Sequence, residues 1–447
     1  MTIVYVLFAV FLLFLFFLYR KRRSYYPYSV HSDYLYNMPD GDIVLMKDGR
    51  LELPDTEGFT VFVKVKTVSS FWGYFLHPSV EIKSSGESLR QYTEYGSSGY
   101  RYINLSGCGR HVELKGRRLR IKDGETEVYR FKNPELEGKK ILIVAPHPDD
   151  AEIAAYGLYG KYADNVFIMT LSPGENGYFH YKELFTEEER TLQHLKKGEL
   201  RMWNSLTVPL IAGVKPENLI SFGYFNETFE DMYRFPDKEI PSRKFDTADV
   251  NIFRKFNTNP LVKKLKGGSN WKALKENITM VVENVQPDVI VTPHPHIDSH
   301  EDHRYATLAL LETLKEMKYT RGLLLLYTNH FHYYPFGRMG GVMPLPPCFD
   351  GSISHEGIYS HPLNREERRN KLLAFDAMND LRPNTDYRLW KRLFARAFSS
   401  LRARCFSIEK DYFNLYIRTN ELFYVFPVER AISSGIFEKP APPEAFP

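Results

Sequence analysis

Two groups of histidine and aspartate, each directly after an apolar run, are the residues of this sequence best suited to do chemistry. Residues 147–150 read His-Pro-Asp-Asp and follow the aliphatic run 141–145. Residues 294–303 contain four histidines and two aspartates and follow the run 289–293. Short apolar runs bounded by turn residues are typical of strands that are buried on both faces of a parallel sheet. Both groups are therefore predicted at the carboxyl ends of such strands.

Ligands of open α/β sheets bind at the carboxyl ends of the strands, so we expect the two groups to share one edge. Two imidazoles and one carboxylate around zinc, with a fourth position open to water, are the ligand count of a catalytic site. Zinc lowers the pKa of its water to about 7, which leaves other carboxylates and imidazoles for proton transfer and oxyanion stabilisation. The residues that predict metal-assisted hydrolysis in this way are His147, Asp149, Asp150, His300 and His303.

Each group is also predicted to open a helix. Asp149 and Asp150 can cap a helix that follows Pro148. Ser299 and Asp302 have the spacing of a capping box, and residues 305–317 carry leucines at helical intervals. His300 and His303 would then lie together on a first turn.

Taken together, the two motifs resemble the LmbE-like/PIG-L family of zinc-dependent de-N-acetylases, which remove acetyl groups from N-acetylglucosaminyl compounds. The resemblance implies a Rossmann-like parallel sheet and one zinc ion, with Fe²⁺ as the alternative. It implies that His147, Asp150 and His303 bind the metal. It further implies Asp149 as general base, His300 as oxyanion stabiliser or acid, and Asp302 as a carboxylate that orients an imidazole.

The resemblance covers residues 138–325 and is weaker between the motifs. Residues 195–208 are similar to the family's Arg-x-x-Glu helix, with Lys196 in place of Arg and Thr207 in place of Gly. Residues 222–226 are similar to its Gly-Tyr-Pro-Asp stretch, with Phe and Asn substituted. These departures concern the sugar contacts and leave the predicted metal ligands intact.

Either motif alone has a simpler explanation, as a capped turn or as a solvated helix face. Their occurrence together, each between a strand and a helix, favours a site. The other histidines are predicted at the surface or in the core, with His294 and His296 intermediate between the two cases. Those predicted at the surface or in the core are His180, His194, His330, His332, His355 and His361.

The N-terminal residues 1–23 are predicted to anchor the chain in a membrane. Residues 3–19 carry no charge, and residues 20–23 read Arg-Lys-Arg-Arg. A secretory signal has its basic residues before the apolar run, so we interpret the segment as a retained single-pass anchor. Basic residues that follow the span favour a cytoplasmic location for the rest of the chain.

Residues 24–135 are predicted to form a β-sandwich, because short alternating segments are separated by Gly and Ser. Residues 122–125 have the form of a hairpin turn before the last strand. Phe71, Trp72 and Tyr74 can bind a sugar face, but packing in the core is the favoured interpretation. Residues 136–447 are assigned to the catalytic domain.

The composition is compatible with a sizeable core. Of the 447 residues 43% are hydrophobic and 15% aromatic, and the net charge is +4. Cys108, Cys348 and Cys405 lack the spacing of a disulfide framework or a zinc knuckle. Residues 234–272, predicted as a lid or substrate loop, and residues 365–404 each carry an excess of six positive charges. Such surfaces suit anionic headgroups or solvated ion pairs, and no motif supports nucleic-acid binding.

The sequence thus predicts a membrane-anchored zinc hydrolase that removes the N-acetyl group from an N-acetylglucosamine-type sugar in a glycolipid or polysaccharide. Two alternatives stay open. One is a metal-dependent hydrolase of another amide or ester, and the other is a carbohydrate-binding protein without catalytic activity.

Overall fold

The computed structural model describes residues 2–177, 179–331, 337–382, 412–435 and 437 of the chain. Helix α1 (Thr2–Arg23) comes first, and two antiparallel sheets and one mixed sheet follow. His332, Cys405 and residues 383–404 of the second basic segment lie outside the described residues.

The strands between residues 42 and 132 form two antiparallel sheets with one apolar cluster between them. They are β1 (Asp42–Met46), β2 (Arg50–Glu52), β3 (Phe59–Ser69), β4 (Ser79–Ser84), β5 (Glu87–Tyr92), β6 (Ser98–Asn104), β7 (His111–Arg117), β8 (Leu119–Ile121) and β9 (Gly124–Lys132). One sheet has the order β1, β9, β3, β6, with β8 also on β3, and the other has the order β2, β7, β4, β5. Val63 of β3 and Ile82 of β4 meet in the shared cluster. Burial alternates along β7, as expected of a strand with one covered face, whereas residues 60–63 of β3 are all buried.

The predicted hairpin turn at residues 122–125 is wrong. Both β8 and β9 pair antiparallel with β3, β8 near Thr67 and β9 near Val63, so the two strands run in the same direction along one neighbour. The step between them places Gly124 at a φ of 137°, which glycine adopts without the strain of a side chain.

The prediction that the aromatic turn after β3 packs in the core is also wrong. Phe71 and Trp72 lie in a single 3₁₀ turn, Phe71–Tyr74, and remain 62% and 51% exposed. Phe75 beneath them is buried.

Seven further strands form one sheet. They are β10 (Ile141–Ala145), β11 (Val166–Thr170), β12 (Leu219–Ser221), β13 (Val289–Pro293), β14 (Leu323–Tyr327), β15 (Gly357–Pro362) and β16 (Asn420–Pro427). Their order across the sheet is β12, β11, β10, β13, β14, β16, β15. The first five in this order are parallel, and β16 and β15 are antiparallel to their neighbours. All five residues of β10 are buried, as predicted for a strand covered on both faces.

Helices cover both faces of this sheet. They are α2 (Asp150–Lys161), α3 (Arg190–Thr207), α4 (Phe229–Arg234), α5 (Trp271–Val285), α6 (Glu301–Glu316), α7 (Arg365–Ala377), α8 (Tyr412–Tyr416) and α9 (Val428–Ser433). Leu142 and Val144 of β10 share an apolar cluster with α5 and α6. Ile141 and Ile143 point the other way and share a cluster with α2 and α7. Successive side chains of a strand point to opposite faces of the sheet, so β10 contributes to the apolar clusters on both faces.

The antiparallel sheets and the seven-stranded sheet meet at the edge strand β15 through buried hydrogen bonds. The Ser360 backbone N–H donates to Thr60 Oγ1 at 2.8 Å, and Asn104 Nδ2 donates to Ser360 Oγ at 2.9 Å. Asn420 Nδ2 of β16 donates to the same hydroxyl at 3.0 Å. The predicted domain boundary after residue 135 stays a prediction, and these bonds cross it.

Helix α1 exposes most of its apolar side chains, which are 41–68% exposed at many positions between Val4 and Phe17. Among the described residues it is the one helix whose length and composition suffice to cross a membrane.

A buried ion pair supplies hydrogen-bond partners to the backbone of α2 at a kink. Ala155 has φ −142° and ψ 21°, which interrupts the helical hydrogen bonds. Glu421 of β16 accepts from the N–H groups of Gly157 and Leu158 at 2.9 and 3.0 Å, and Lys371 of α7 donates to the Ile153 carbonyl at 2.9 Å. Lys371 Nζ and Glu421 Oε1 are 2.8 Å apart and fully buried. The pair therefore satisfies the backbone groups that the kink leaves unbonded.

We expect Lys371→Met to lower the free energy of unfolding by about 3–5 kcal/mol, because it leaves the Glu421 carboxylate buried without its counter-charge. Thermal unfolding followed by circular dichroism measures the effect. Lys132→Met is the control, because Lys132 and Glu135 are paired at the surface with side chains 78% and 85% exposed. That change should cost no more than about 1 kcal/mol. Equal midpoints for the two variants would contradict the structural role of Lys371.

Candidate metal and catalytic site

The site lies where two neighbouring parallel strands end. β10 ends at Ala145 and α2 begins at Asp150, while β13 ends at Pro293 and α6 begins at Glu301. Residues 141–143 pair in parallel with residues 289–291, so both strand-to-helix turns leave the same edge of the sheet. From β10 the chain continues outward to β11 on one side, and β13 lies on the other. A crevice between turns that diverge in this way is where open α/β sheets bind ligands.

Three side-chain atoms from these turns converge on one point. His147 Nδ1 lies 3.2 Å from His303 Nε2 and 3.3 Å from Asp150 Oδ2, and the latter two atoms are 3.0 Å apart. Ligand atoms about 2.0–2.1 Å from a tetrahedral zinc ion are separated by about 3.3 Å. The triangle has that size, and its residues are buried. The donor set therefore fits a small divalent cation.

Two neighbouring histidines enlarge the choice of donors. Donor atoms within 4.8 Å of one another also occur in the groups His147, His300, His303 and Asp150, His303, His330. The His330 ring centroid is 4.7 Å from that of His303. The prediction that His330 is a surface or core residue outside the site is therefore wrong. The signal was present in the sequence, because His330 follows another apolar run, now β14, at the same edge of the sheet.

Each atom of the triangle belongs to a side chain that a further group holds in place. Asp298 Oδ2 lies 3.1 Å from His303 Nδ1, and Asp302 Oδ2 lies 3.2 Å from His147 Nε2. Asn329 Nδ2 donates to Asp150 Oδ1 at 2.8 Å. Partners of this kind set the orientation and tautomer of metal-ligating side chains. Asp302 contacts an imidazole as expected, whereas Asp298 and Asn329 were not assigned a role from the sequence.

The carboxylates make this cluster a place for positive charge. Burial lowers the pKa of His147, but hydrogen bonds with Asp150 and Asp302 outweigh it and raise that pKa to about 9. Burial likewise lowers the pKa of His303, which Asp150 and Asp298 raise well above its usual value. The facing nitrogens of the two rings are only 3.2 Å apart, so there is room for one proton between them. A divalent cation satisfies both imidazoles and Asp150 together.

His300 is held as a neutral imidazole with a defined tautomer. Its Nδ1 accepts from the Asp302 backbone N–H at 3.2 Å, which leaves the ring proton on Nε2. Burial, together with His147 and His303, lowers the pKa of His300 to about 3. His300 is also the residue that caps α6, so the predicted cap at Ser299 is wrong. The ring can donate a hydrogen bond from Nε2 without first gaining a proton.

Asp149 is placed by an arginine. Arg201 Nη2 of α3 donates to Asp149 Oδ1 at 2.7 Å. The same guanidinium donates to the Gly174 carbonyl and to Asp380 Oδ2, each at 3.0 Å. Asp149 precedes α2 but makes no side-chain cap, so the predicted capping role is replaced by this ion pair. Arg201 lies within residues 195–208, where the similarity to the family's Arg-x-x-Glu helix had placed Lys196 at the arginine position.

Lys196 itself points away from this network. Its Nζ pairs with Glu199 on the partly exposed side of α3. Lys197 is the buried neighbour, and its ammonium donates to the Asn176 carbonyl.

The 222–226 stretch contributes its backbone more than its side chains. Phe222, Tyr224 and Phe225 are fully buried in the core. The next residue, Glu227, has a φ of 60°, and its N–H donates to Asp302 Oδ2 at 2.7 Å. Glu175, a residue missed from the sequence, accepts from the Asn226 N–H, and burial raises its pKa to about 7.

The segment 234–272, predicted as a lid or substrate loop, is anchored in the core along part of its length. Ile240, Val250 and Phe253 are buried, and Arg254 Nε donates to the Phe222 carbonyl at 2.6 Å. The anchored part therefore packs as fixed structure around the stretch that precedes Glu227.

The remaining histidines lie outside the cluster wherever the structure describes them. His294 packs against Tyr424 and Phe437, and His296 against Phe437. His361 is buried beside Tyr359, and His194 is half-buried with Nδ1 2.9 Å from the Glu175 carbonyl oxygen.

One family model matches the part of the chain that carries these residues. Residues 142–314 match the family model of PIG-L, described as GlcNAc-PI de-N-acetylase. No curated protein matches the chain significantly in sequence.

Several solved structures are similar to part of this chain. The A40926 pseudoaglycone deacetylase Dbv21 is 17% identical, with 65% of this chain and 98% of that chain covered and a TM-score of 0.35. A deacetylase of teicoplanin biosynthesis is 14% identical, with 64% and 97% covered and a TM-score of 0.33. GalB, the 4-carboxy-2-hydroxymuconate hydratase of Pseudomonas putida KT2440, is 14% identical, with 64% and 95% covered and a TM-score of 0.33.

At these TM-scores the structural likeness says nothing about the reaction, and the match to the family model is considered alone. Its matched span contains both strand-to-helix turns, with His147, Asp149 and Asp150 in one and His300 and His303 in the other. The chain is therefore similar to the PIG-L, GlcNAc-PI de-N-acetylase, family over residues 142–314.

Proposed function

We propose that this protein is a metal-dependent de-N-acetylase that hydrolyses the acetamido group of an N-acetylglucosamine-type sugar. The observation that carries the proposal is the triangle of His147 Nδ1, Asp150 Oδ2 and His303 Nε2 within the span that matches the family. Zinc is the proposed ion, with Fe²⁺ as the alternative, and the seven-stranded sheet is the proposed Rossmann-like scaffold. His147, Asp150 and His303 are the proposed ligands.

When bound, the metal supplies positive charge that acidifies water and polarises the acetyl carbonyl. Asp149 takes a proton from the attacking water as the new C–O bond forms at the acetyl carbon. His300 donates a hydrogen bond from Nε2 to the oxygen that becomes negatively charged. As the C–N bond breaks, the proton held by Asp149 passes to the leaving nitrogen, and the products are the free amine and acetic acid.

The neighbours of these groups suit the assigned roles. Arg201 holds Asp149 Oδ1, so the carboxylate keeps a fixed direction at the mouth of α2. Asp302 contacts His147, and its backbone N–H holds His300, so one residue positions both a proposed ligand and the proposed oxyanion donor. We therefore assign Asp302 a positioning role.

Two other functions compete with this one. A metal-dependent hydrolase of a different amide or ester would bind zinc and release no acetate from an N-acetylated sugar. A carbohydrate-binding protein without activity would release nothing. Zinc content measured together with acetate release from N-acetylglucosaminyl lipids and oligosaccharides distinguishes the three.

His303→Ala should lose most of the bound metal, because His303 belongs to the triangle and to both further donor groups. Zinc per chain, determined by atomic emission after dialysis, is the measurement. His194→Ala is the matched control, since His194 is a half-buried histidine outside the cluster. Stoichiometric zinc in His303→Ala would contradict the assignment.

His330→Ala tells the donor groups apart. If His147, Asp150 and His303 are the ligands, the variant keeps its zinc. Loss of zinc in that variant would move the ion toward the group of Asp150, His303 and His330.

Asp149→Asn should keep its zinc and release acetate on the order of a hundred-fold more slowly, or slower still, because an amide cannot take the proton. The amide oxygen can still accept from Arg201, so the fold should be unaffected. Asp164→Asn, at a position where the side chain is 87% exposed, controls for the change of charge. Loss of metal from Asp149→Asn would exchange the roles of Asp149 and Asp150.

We further propose that α1 anchors the protein in a membrane by a single pass, with residues 24–447 in the cytoplasm. The support is the exposed apolar surface of the helix and the basic residues at its end. The substrate would then be an acetylated sugar presented at the cytoplasmic leaflet, with a lipid as its carrier.

A fluorescent reporter active only in the cytoplasm should therefore fluoresce when it is fused after Pro447, while a phosphatase active only outside should stay silent. Exchanging residues 20–23 for uncharged residues should weaken this preference, because the bias in orientation comes from their charge. Phosphatase activity in the unaltered fusion would show that the C-terminal end lies outside the cytoplasm. The proposed substrate would then be an exported polysaccharide.

A further inference from the structure

The end of α1 is not a free tether but is docked on the β-sandwich. Leu18 and Arg22, four residues apart on one helix face, are 7% and 4% exposed. The Arg22 guanidinium lies 4.5 Å from the ring centroid of Tyr95, and Arg23 donates to the Tyr28 carbonyl at 2.8 Å. The Tyr19 ring contacts that of Tyr74 at 6.1 Å. The helix axis is therefore fixed relative to the sandwich.

Tyr74 belongs to the turn that carries the exposed aromatic pair. The rings of Phe71 and Trp72 are 5.4 Å apart, and both contact Phe75, which is buried beneath them. The turn is held from below, since Ser70 Oγ donates to the Arg118 carbonyl at 2.9 Å and a Cβ at Gly73 would lie 2.5 Å from that carbonyl oxygen. The two rings are thus displayed on rigid structure beside Tyr19.

The length of α1 indicates what covers them. Residues 3–19 extend over about 25 Å at 1.5 Å per residue, whereas the hydrocarbon core of a bilayer is about 30 Å thick. A short span draws its flanking residues toward the membrane. Tyr19, and with it the neighbouring pair, then lies at the boundary of the acyl chains, where tryptophan and other aromatic rings are favoured. Arg117 and Arg118 beside the turn are exposed and suit anionic headgroups.

The same docking brings the active site close to the point of exit. Tyr26, Tyr28 and Val30 form an apolar cluster against which Phe331 and Phe349 pack. Phe331 follows His330, which lies at the site. The chain that leaves the helix therefore packs on Phe331, the residue next to His330 of the proposed site.

We infer that Phe71 and Trp72 insert into the interfacial layer of the membrane as a second contact beside α1. With two contacts the soluble part has a fixed tilt, and the His330 side of the site is held toward the headgroups. This inference rests on the proposed anchoring by α1. The partner is a lipid surface that contains anionic headgroups, and no other protein is required.

Quenching by brominated lipid tests the insertion. The full chain is reconstituted in phosphatidylcholine–phosphatidylglycerol vesicles whose phosphatidylcholine chains carry bromine close to the headgroup. Trp72→Phe should abolish most of the bromine-quenched tryptophan emission, because the residue at that depth has been removed. Trp203→Phe is the matched control, since Trp203 is 49% exposed on α3 and should remain in water. The Trp203→Phe variant should show the same bromine quenching as the unaltered chain, because Trp203 should not contribute to the quenched emission.

Two other results would overturn the inference and are distinguishable. Undiminished quenching in Trp72→Phe, with the chain resistant to alkaline carbonate extraction, shows that α1 spans the bilayer while the aromatic pair stays in water. Release of the chain by carbonate shows that the anchoring itself is wrong. Zinc content and acetate release assess the proposed catalytic function independently of either result.

Discussion

The parallel pairing of β10 with β13 is the constraint on which the site depends. It brings together two turns that are far apart in the sequence, and it does so in a register that places residues 141–143 beside residues 289–291. His147 and Asp150 from one turn then meet His303 from the other. Parallel strands need a long crossover, and here the crossover itself supplies Arg201, Glu175 and Glu227 to the surroundings of the site.

Burial of so many charged groups is sustained by mutual pairing. The proposed ligands each contact a second polar group, and these partners are Asp298, Asp302 and Asn329. Removing an ionised carboxylate from water costs several kcal/mol unless such partners replace the lost hydration. The Lys371–Glu421 pair obeys the same rule at the kink of α2, where the unbonded groups belong to the backbone. At both places the buried charged groups lie within hydrogen-bonding distance of polar partners from other elements.

Much of the architecture was predictable from local patterns. β10 and β13 have the continuous apolar runs of strands buried on both faces, and β7 alternates as a strand with one covered face does. The two polar turns at the strand ends were predictable for the same reason. These patterns involve only residues that are close together in the sequence, so the strands and turns can be recognised without the structure.

What could not be predicted depends on contacts between distant segments. Nothing local distinguishes Arg201 from the lysines around it, and its role appears only when α3 places it within hydrogen-bonding distance of Asp149. The cap of α6 is His300 and not Ser299, because the imidazole is turned toward the Asp302 N–H by the crowded cluster. The residues 122–125 look like a hairpin, but β3 is long enough to accept β8 and β9 in succession. Phe71 and Trp72 are residue types that are usually buried, but these two lie on a turn and are exposed to solvent.

The hydroxyl of Ser360 joins the two halves of the molecule, because it accepts from Asn104 of the sandwich and Asn420 of the seven-stranded sheet while its N–H donates to Thr60. Expression of residues 136–447 alone would leave the Ser360 N–H without its partner Thr60 and would uncover the side of β15 that packs against β3 and β9. We therefore expect residues 136–447 to be less stable without the antiparallel sheets that precede them. A form of the protein without the apolar helix should be sought by shortening α1 and retaining everything from Ser24 onward, because Tyr26, Tyr28 and Val30 pack against Phe331 and Phe349.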